Sequence, residues 1–149
     1  MKIRKAEQSD VNRIFYLGKD LETARVSKKT VAFWPKSTIS KIIKGKSNIV
    51  LVAEKDKKVI GFIIINYNPS FEKAIMENIY VNESRHQGVG TLLLETAITK
   101  LKKKGCKYIC TLTKLTEKNT IKWLSHRGME PGAKFIWSDL TLDKSFMSK

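Results

Sequence analysis

The feature that most constrains the fold is a strand, a glycine-bearing loop and a long helix in direct succession. Residues 73–81 are predicted as a strand, and residues 82–90 form a loop that contains two glycines. Residues 91–104 then carry apolar side chains at helical spacing, and Gly105 is expected to end the helix. The inward-facing residues are Leu93, Leu94, Ala97, Ile98 and Leu101.

The start of this predicted helix has the composition of an anion-binding loop. A helix N-terminus offers unpaired backbone N–H groups and a partial positive charge. Glycine at positions 88 and 90 lets the backbone approach an anion closely, since no Cβ intervenes. Arg85 and the hydroxyl of Thr91 can add hydrogen bonds. The loop therefore predicts a pyrophosphate-binding site.

Other glycine loops fit less well. A P-loop needs a lysine before its Ser or Thr, whereas Thr91 directly follows Gly90. A dinucleotide fingerprint needs three glycines, and only Gly88 and Gly90 are present. Two glycines at the start of a helix would also suit a purely structural turn, so the loop alone leaves that interpretation open.

The rest of the chain predicts a mixed sheet flanked by helices. Strands are predicted over residues 2–5, 48–54, 59–66, 73–81, 107–113 and 135–142, and helices after Ser9 or Asp10, around residues 39–43, and over residues 91–104 and 119–127. This β-α-α-β-β-β-α-β-α-β order and the length of 149 residues fit one domain over residues 1–149. Residues 20–47 follow no clear pattern and are expected to face substrate.

The charge balance favours anionic partners. Lys and Arg number 29 against 14 Asp and Glu, and the resulting net charge of +15 attracts polyanions such as nucleic acid, a phosphorylated cofactor or an acidic protein. The lysines are scattered, which also fits a solvated surface. No apolar run approaches the roughly 20 residues of a membrane span, so we expect a cytoplasmic protein without a membrane partner. No Cys/His set has metal-ligand spacing, so no metal is expected.

Several motifs together resemble one family. Residues 85–90 read RHQGVG and resemble the Arg/Gln-x-x-Gly-x-Gly/Ala signature of the GNAT acetyltransferases. Residues 79–81 are similar to that family's strand end before the loop, and residues 119–129 to its second motif, an Asn-started helix that ends in Gly-Phe. The resemblance covers about residues 2–142. It implies the GNAT fold, an α/β (α+β mixed) architecture with a central twisted mixed sheet of about six to seven strands and about four helices.

The resemblance also implies an activity and a set of binding residues. The chain would be an N-acetyltransferase that moves an acetyl group from acetyl-CoA to a primary amine of a small molecule or protein. The strands that hold Val81 and Tyr108 would separate to form the slot where thioester and amine meet. The implied cofactor-binding residues are Ile79, Tyr80 and Val81 on the strand, Arg85, His86, Gln87, Gly88, Val89, Gly90 and Thr91 around the pyrophosphate, and Asn119 beside the pantetheine arm.

Glu77 is the predicted catalytic base. It lies two residues before Ile79 and shares that residue's face if the strand is regular. A carboxylate at this strand position acts as a base in several members of the family that the chain resembles. Glu77 would otherwise bind a cationic substrate or face solvent. The family commonly places a tyrosine acid four residues before the glycine of its second motif, and Leu124 occupies that position here.

A second interpretation remains open: a basic module that binds nucleic acid or protein, with acetyl-CoA as its ligand. Phosphate contacts would make such binding salt-dependent. No helix-turn-helix, zinc or RNP-type signature supports specific recognition. The alternating segment 135–142 could also pair across a homodimer.

Overall fold

The computed structural model describes residues 1–19, 21, 25–82 and 88–147. These residues form a mixed α/β fold, which confirms the predicted fold class. The strands are β1 (Lys2–Lys5), β2 (Ile49–Lys55), β3 (Lys58–Asn68), β4 (Lys73–Val81) and β5 (Tyr108–Thr111). The α-helices are α1 (Val11–Gly18), α2 (Lys36–Lys44), α3 (Val89–Lys103) and α4 (Lys118–Ser125).

The strands form one sheet in the order β1-β2-β3-β4-β5. The first four run antiparallel, and β5 runs parallel to β4. The β2–β3 hairpin closes through Asp56 and Lys57, whose φ angles of 50° and 62° suit the tight turns that match strand twist. The parallel β4–β5 pair needs a long crossover, and α3 supplies it.

Each face of the sheet carries a hydrophobic core. On one face, α3 buries Leu93, Leu94, Ala97 and Leu101 against β2, β3 and β4, and we refer to this as the first core. On the other face, α1 and α2 bury Ile14, Leu17, Ile39 and Ile43 in the second core. Residues 49–53 are buried on both sides of β2. Burial on both faces explains why they form a continuous apolar run instead of an alternating one.

The start of α1 differs from the predicted cap. The Asp10 side chain makes no capping bond to α1. It accepts hydrogen bonds from Arg4 at 2.7 and 3.0 Å and from the Glu7 N–H at 2.8 Å, and it is only 6% exposed. The carboxylate therefore ties β1 to the chain segment that leads into α1.

The predicted strand over residues 135–142 is wrong, so the described sheet has five strands and not six or seven. Phe135, Ile136, Leu140 and Leu142 are between 79% and 92% exposed. Alternating side chains make a strand only where they pair with a neighbouring strand, and this segment pairs with neither described edge of the sheet, β1 or β5. The chain instead returns to residues 30–31, where the Val31 N–H donates to the Phe146 carbonyl at 2.9 Å.

Candidate active site

The central feature of the site is the place where β4 and β5 separate. The two strands pair from Lys73 opposite Tyr108 to Met76 opposite Thr111, where β5 ends. The Thr111 hydroxyl donates to the Met76 carbonyl at 2.9 Å, at the last paired position. Residues 77–81 of β4 continue without β5 beside them. We call the space beside these five residues the fork; it corresponds to the predicted separation of the strands.

Backbone groups of β4 are directed into the fork. The Asn82 N–H donates to the Ile60 carbonyl of β3 at 2.8 Å. Because the direction of the backbone groups alternates along a strand, Val81 and Ile79 direct their N–H and C=O groups away from β3. No described strand pairs with these groups on the fork side. They form an open edge to which an extended ligand can add as a strand would.

Glu77 lies at a β-bulge at the base of the fork. Ile64 of β3 pairs with Asn78 and the next residue, Ile65, pairs with Met76, so Glu77 has no partner on β3. The premise that β4 is a regular strand here is therefore wrong. Met76, the residue before Glu77, packs into the first core with Ile79. Glu77 directly follows the last residue paired with β5. Burial raises the pKa of the Glu77 carboxyl above its ordinary value.

The N-terminus of α3 presents free N–H groups close to this edge. Gly88 caps the helix with a φ of 74°, in the left-handed region that favours glycine. The first intrahelical bond runs from the Leu92 N–H to the Gly88 carbonyl, so the N–H groups of Val89, Gly90 and Thr91 have no acceptor within the helix. Val89 as a whole residue is 1% exposed and packs in the first core, whereas Gly90 and Thr91 are half-buried. Arg85, His86 and Gln87 lie outside the described residues.

Gly90 is the point where α3, α4 and β4 meet. A Cβ added there would lie 3.6 Å from Cζ2 of Trp123 in α4 and 3.8 Å from Cγ2 of Val81 in β4. Both distances are ordinary van der Waals contacts, so the packing of the described residues does not itself require glycine here. The free N–H groups at the start of α3 and the open edge of β4 are thus adjacent parts of one surface.

Sequence reasoning missed Arg127, which lies just beyond α4. Its Nε donates to Thr91 Oγ1 at 3.1 Å, and one terminal nitrogen makes a second short hydrogen bond to the same oxygen. The other terminal nitrogen donates to the Trp123 carbonyl at 2.8 Å, and the guanidinium lies over the Trp123 ring at 4.5 Å. Since a guanidinium only donates, Thr91 must accept, and its own hydroxyl hydrogen remains available to another acceptor.

No pattern could have revealed this contact, because Arg127 and Thr91 are 36 residues apart.

Two other residues of α4, Asn119 and Leu124, were singled out by the sequence and differ in exposure. Asn119 is the second residue of α4 and is exposed. Leu124, at the position where the family usually has tyrosine, is 5% exposed and belongs to the first core. A buried leucine there can neither donate a proton nor touch solvent.

A tryptophan from the segment 20–47 contacts β4 next to Glu77. Trp34 Nε1 donates to Asn78 Oδ1 at 2.8 Å, one residue after Glu77. The Phe146 ring packs edge-on against Trp34 with centroids 6.2 Å apart. This aromatic pair from outside the sheet therefore contacts β4 at Asn78, the residue after Glu77.

Within the described ranges, no group of three or more His, Cys, Asp or Glu residues is arranged to hold a metal ion. Among the helices that the structure describes, none is long and apolar enough to cross a membrane.

Comparison with known proteins gives a family and a fold. The model of the acetyltransferase (GNAT) family matches residues 5–129. A transcriptional regulator from Bacillus halodurans superposes with a TM-score of 0.77 at 20% identity, over 93% of this chain and 99% of that one. An aminoglycoside acetyltransferase from an uncultured soil metagenomic sample gives 0.74 at 14% identity, over 95% and 96%. A ribosomal-protein alanine N-acetyltransferase from Escherichia coli gives 0.68 at 21% identity, over 85% and 76%. Identities this low establish the shared fold alone.

Proposed function

From the premise that this chain belongs to the GNAT acetyltransferase family, we propose that it transfers the acetyl group of acetyl-CoA to a primary amine of a small molecule or protein. The proposal assigns residues 1–149 to one acetyl-CoA-binding domain. The observation that carries it is the open edge of β4, with the backbone groups of Ile79 and Val81 directed into the fork beside the free N–H groups of α3.

Acetyl-CoA fits the donors that this surface offers. Its pyrophosphate is an anion, and the N–H groups of Val89, Gly90 and Thr91 lie at the positive end of a helix of 15 residues. The free hydrogen of the Thr91 hydroxyl, oriented by Arg127, adds one more donor. The amide-bearing pantetheine arm can pair with Ile79 and Val81, and Tyr80 lies between them on the same strand. Asn119 would donate to that arm from the first turn of α4.

Acetyl-CoA supplies an acetyl group activated as a thioester. The amine must be neutral to attack the thioester carbonyl carbon; a C–N bond then forms, the C–S bond breaks, and the amine's surplus proton must leave. Glu77 is proposed as the base that accepts this proton, directly or through one water. Its raised pKa brings it closer to the working pH, which suits a general base. The Ile79 N–H would donate to the oxygen that gains charge.

The thiolate is proposed to leave without a side-chain acid at position 124. Leu124 has no acidic proton and is buried. A thiol has an ordinary pKa of about 8.5, so a thiolate is a tolerable leaving group near neutral pH and can take its proton from water. The absence of a tyrosine at this position is therefore compatible with turnover.

The test is release of free thiol from acetyl-CoA in the presence of a panel of amines. The panel should contain an uncharged-tail amine, a polyamine, an aminoglycoside and a peptide with N-terminal alanine. The last two are included because two similar structures are named as an aminoglycoside acetyltransferase and a ribosomal-protein alanine N-acetyltransferase. The net charge of +15 disfavours polycations, so we expect the polyamine to be the poorest acceptor. No thiol release with any amine, despite measurable acetyl-CoA binding, would contradict the enzyme assignment.

Glu77→Gln tests the base. We expect kcat/KM to fall by about 100-fold or more, and the rise of rate with pH to flatten, because the wild-type rate should rise as the Glu77 carboxyl ionises at a pKa above the ordinary value. Glu95→Gln, on the exposed surface of α3, is the matched control and should leave the profile unchanged. An unaltered pH–rate profile in Glu77→Gln would exclude Glu77 as the base.

A further inference from the structure

Five lysines line one concave surface at the end of the molecule opposite the fork. A cavity of about 310 Å³ lies between the end of β1, the start of β2 and the last turn of α3. We call it the lysine groove; its lining residues are Lys5, Lys46, Asn48, Ile49, Val50, Leu51, Lys100, Lys103 and Lys104. No carboxylate is among the lining residues that the structure describes. Three chain segments far apart in sequence therefore bring five lysines to one cavity.

The fold does not use these charges in an evident way. Within the part of the chain that the structure describes, none of the five lysines forms an ion pair. Lysines in the last turn of a helix often serve its free carbonyls, but here the carbonyls of Lys100, Leu101 and Lys102 accept from backbone N–H groups of the following turn. Lys104 is a partial exception, since its Nζ donates to the Lys46 carbonyl at 2.9 Å and links two sides of the groove.

The groove is separate from the proposed acetyl-CoA site. The site uses the N-terminus of α3 and the fork at the β4–β5 edge, whereas the groove uses the C-terminus of α3 and β1, the strand at the other edge. A helix of 15 residues is about 22 Å long, and this length separates the groove from the N–H groups at the start of α3. Binding in the groove is therefore independent of acetyl transfer.

We propose that the lysine groove binds a compact anion that carries two or three linked phosphate groups. A cleft lined by charges of one sign focuses its field on a bound counter-ion, and lysine ammonium groups bind phosphate as point charges. The volume lies at the lower end of the range for small-ligand sites, about 300–1,000 Å³.

The composition of the groove favours a small phosphate compound over a nucleic acid strand. Proteins that bind single strands stack bases on aromatic side chains. The described lining has no aromatic residue; its uncharged members are Asn48 and three aliphatic residues of β2. The groove can therefore read phosphate charge, and it offers no surface for bases.

The test uses inorganic tripolyphosphate as the probe, titrated into the full chain by calorimetry at low and at near-physiological salt. The groove variant is Lys100→Glu with Lys103→Glu, whose side chains are exposed on the last turn of α3. The control is Lys134→Glu with Lys144→Glu, which makes the same change in net charge on exposed residues outside the groove. Circular dichroism verifies that both variants fold, and Lys100→Gln with Lys103→Gln replaces the reversal if its helix is lost.

We expect the groove variant to weaken tripolyphosphate binding by about tenfold or more and the control by about twofold or less. An equal loss in both variants would overturn the proposal, because it would assign binding to the overall charge. An unaffected groove variant would overturn it in favour of another site, such as the N-terminus of α3. A single-stranded oligonucleotide that binds through the same lysines and is not displaced by tripolyphosphate would overturn the proposed ligand class.

Discussion

Replacements of Gly90 separate what the fold needs from what the ligand needs. A methyl group at this position would make ordinary contacts, at 3.6 Å from Trp123 and 3.8 Å from Val81. Glycine within a helix is less stable than alanine by about 0.5–1 kcal/mol, so Gly90→Ala should stabilise the protein by up to that amount. For a chain of this size the corresponding rise in Tm is about 1–4 °C. Affinity for acetyl-CoA should remain within about threefold, because the signature that residues 85–90 resemble has glycine or alanine at this position.

Gly90→Trp should have the opposite effect on binding. From a Cβ between Trp123 and Val81, an indole must extend across the surface where the N–H groups of α3 meet the open edge of β4. We expect acetyl-CoA affinity to fall by more than about 100-fold, as expected when several hydrogen bonds to a charged group are lost together. Isothermal titration calorimetry measures the affinity, and thermal unfolding monitored by circular dichroism measures the stability.

Two further glycines serve as controls. A Cβ at Gly132 would meet no atom within 4 Å, so Gly132→Trp should fold and bind acetyl-CoA normally. Gly88 also has open space around it, but its φ of 74° makes any side chain strained, so Gly88→Ala should cost about 1 kcal/mol. A folded Gly90→Trp that binds acetyl-CoA with near-normal affinity would refute the location of the pyrophosphate site, and a destabilised Gly90→Ala would refute the packing argument.

Three other predictions follow from single contacts. Arg127→Met and Thr91→Val should each weaken acetyl-CoA binding by about five- to tenfold, with no further loss in the double variant. The reason is that all three variants disrupt the same hydrogen-bonded pair. Additive losses measured by calorimetry would contradict the role of Arg127 in orienting Thr91. Burial opposes ionisation of the Asp10 carboxyl, but hydrogen bonds from Arg4 and a backbone N–H outweigh burial and lower the pKa of this carboxyl. The ionised carboxyl therefore stabilises the fold above pH about 4, and this stabilisation is lost as the pH falls through the lowered pKa. Asp10→Asn should therefore lower the unfolding free energy in urea by about 3 kcal/mol at pH 7, with a difference from wild type that shrinks in acid; a constant difference down to pH 2–3 would contradict the linkage. A Cβ at Gly61 would lie 2.7 Å from the Tyr80 carbonyl oxygen. Gly61→Ala should therefore lower the unfolding free energy by about 1–3 kcal/mol and raise the KM for acetyl-CoA by moving β4. Unchanged unfolding and kinetics would show that the two strands can separate freely.

Local patterns in the sequence determined most of the secondary structure and the outline of the site. The β2–β3 hairpin, β4 and α3 have their expected positions because each follows from periodicity and turn residues within a few positions of one another. The glycine-bearing loop before α3 likewise predicted free N–H groups at a helix start, which the structure describes from Gly88 onward. The family resemblance rested on the same short motifs, and the family model matches residues 5–129.

Only the tertiary structure decided the features that depend on distant neighbours. The alternating residues 135–142 form no strand, because an alternating pattern does not determine whether a segment pairs with an edge of the sheet. The bulge at Glu77 is a mismatch of register between two strands and is invisible in either one. Arg127 meets Thr91, and Lys5 and Lys46 meet the end of α3, through packing of segments tens of residues apart. Sequence thus determined what each segment could become, whereas the shared core determined which side chains came together.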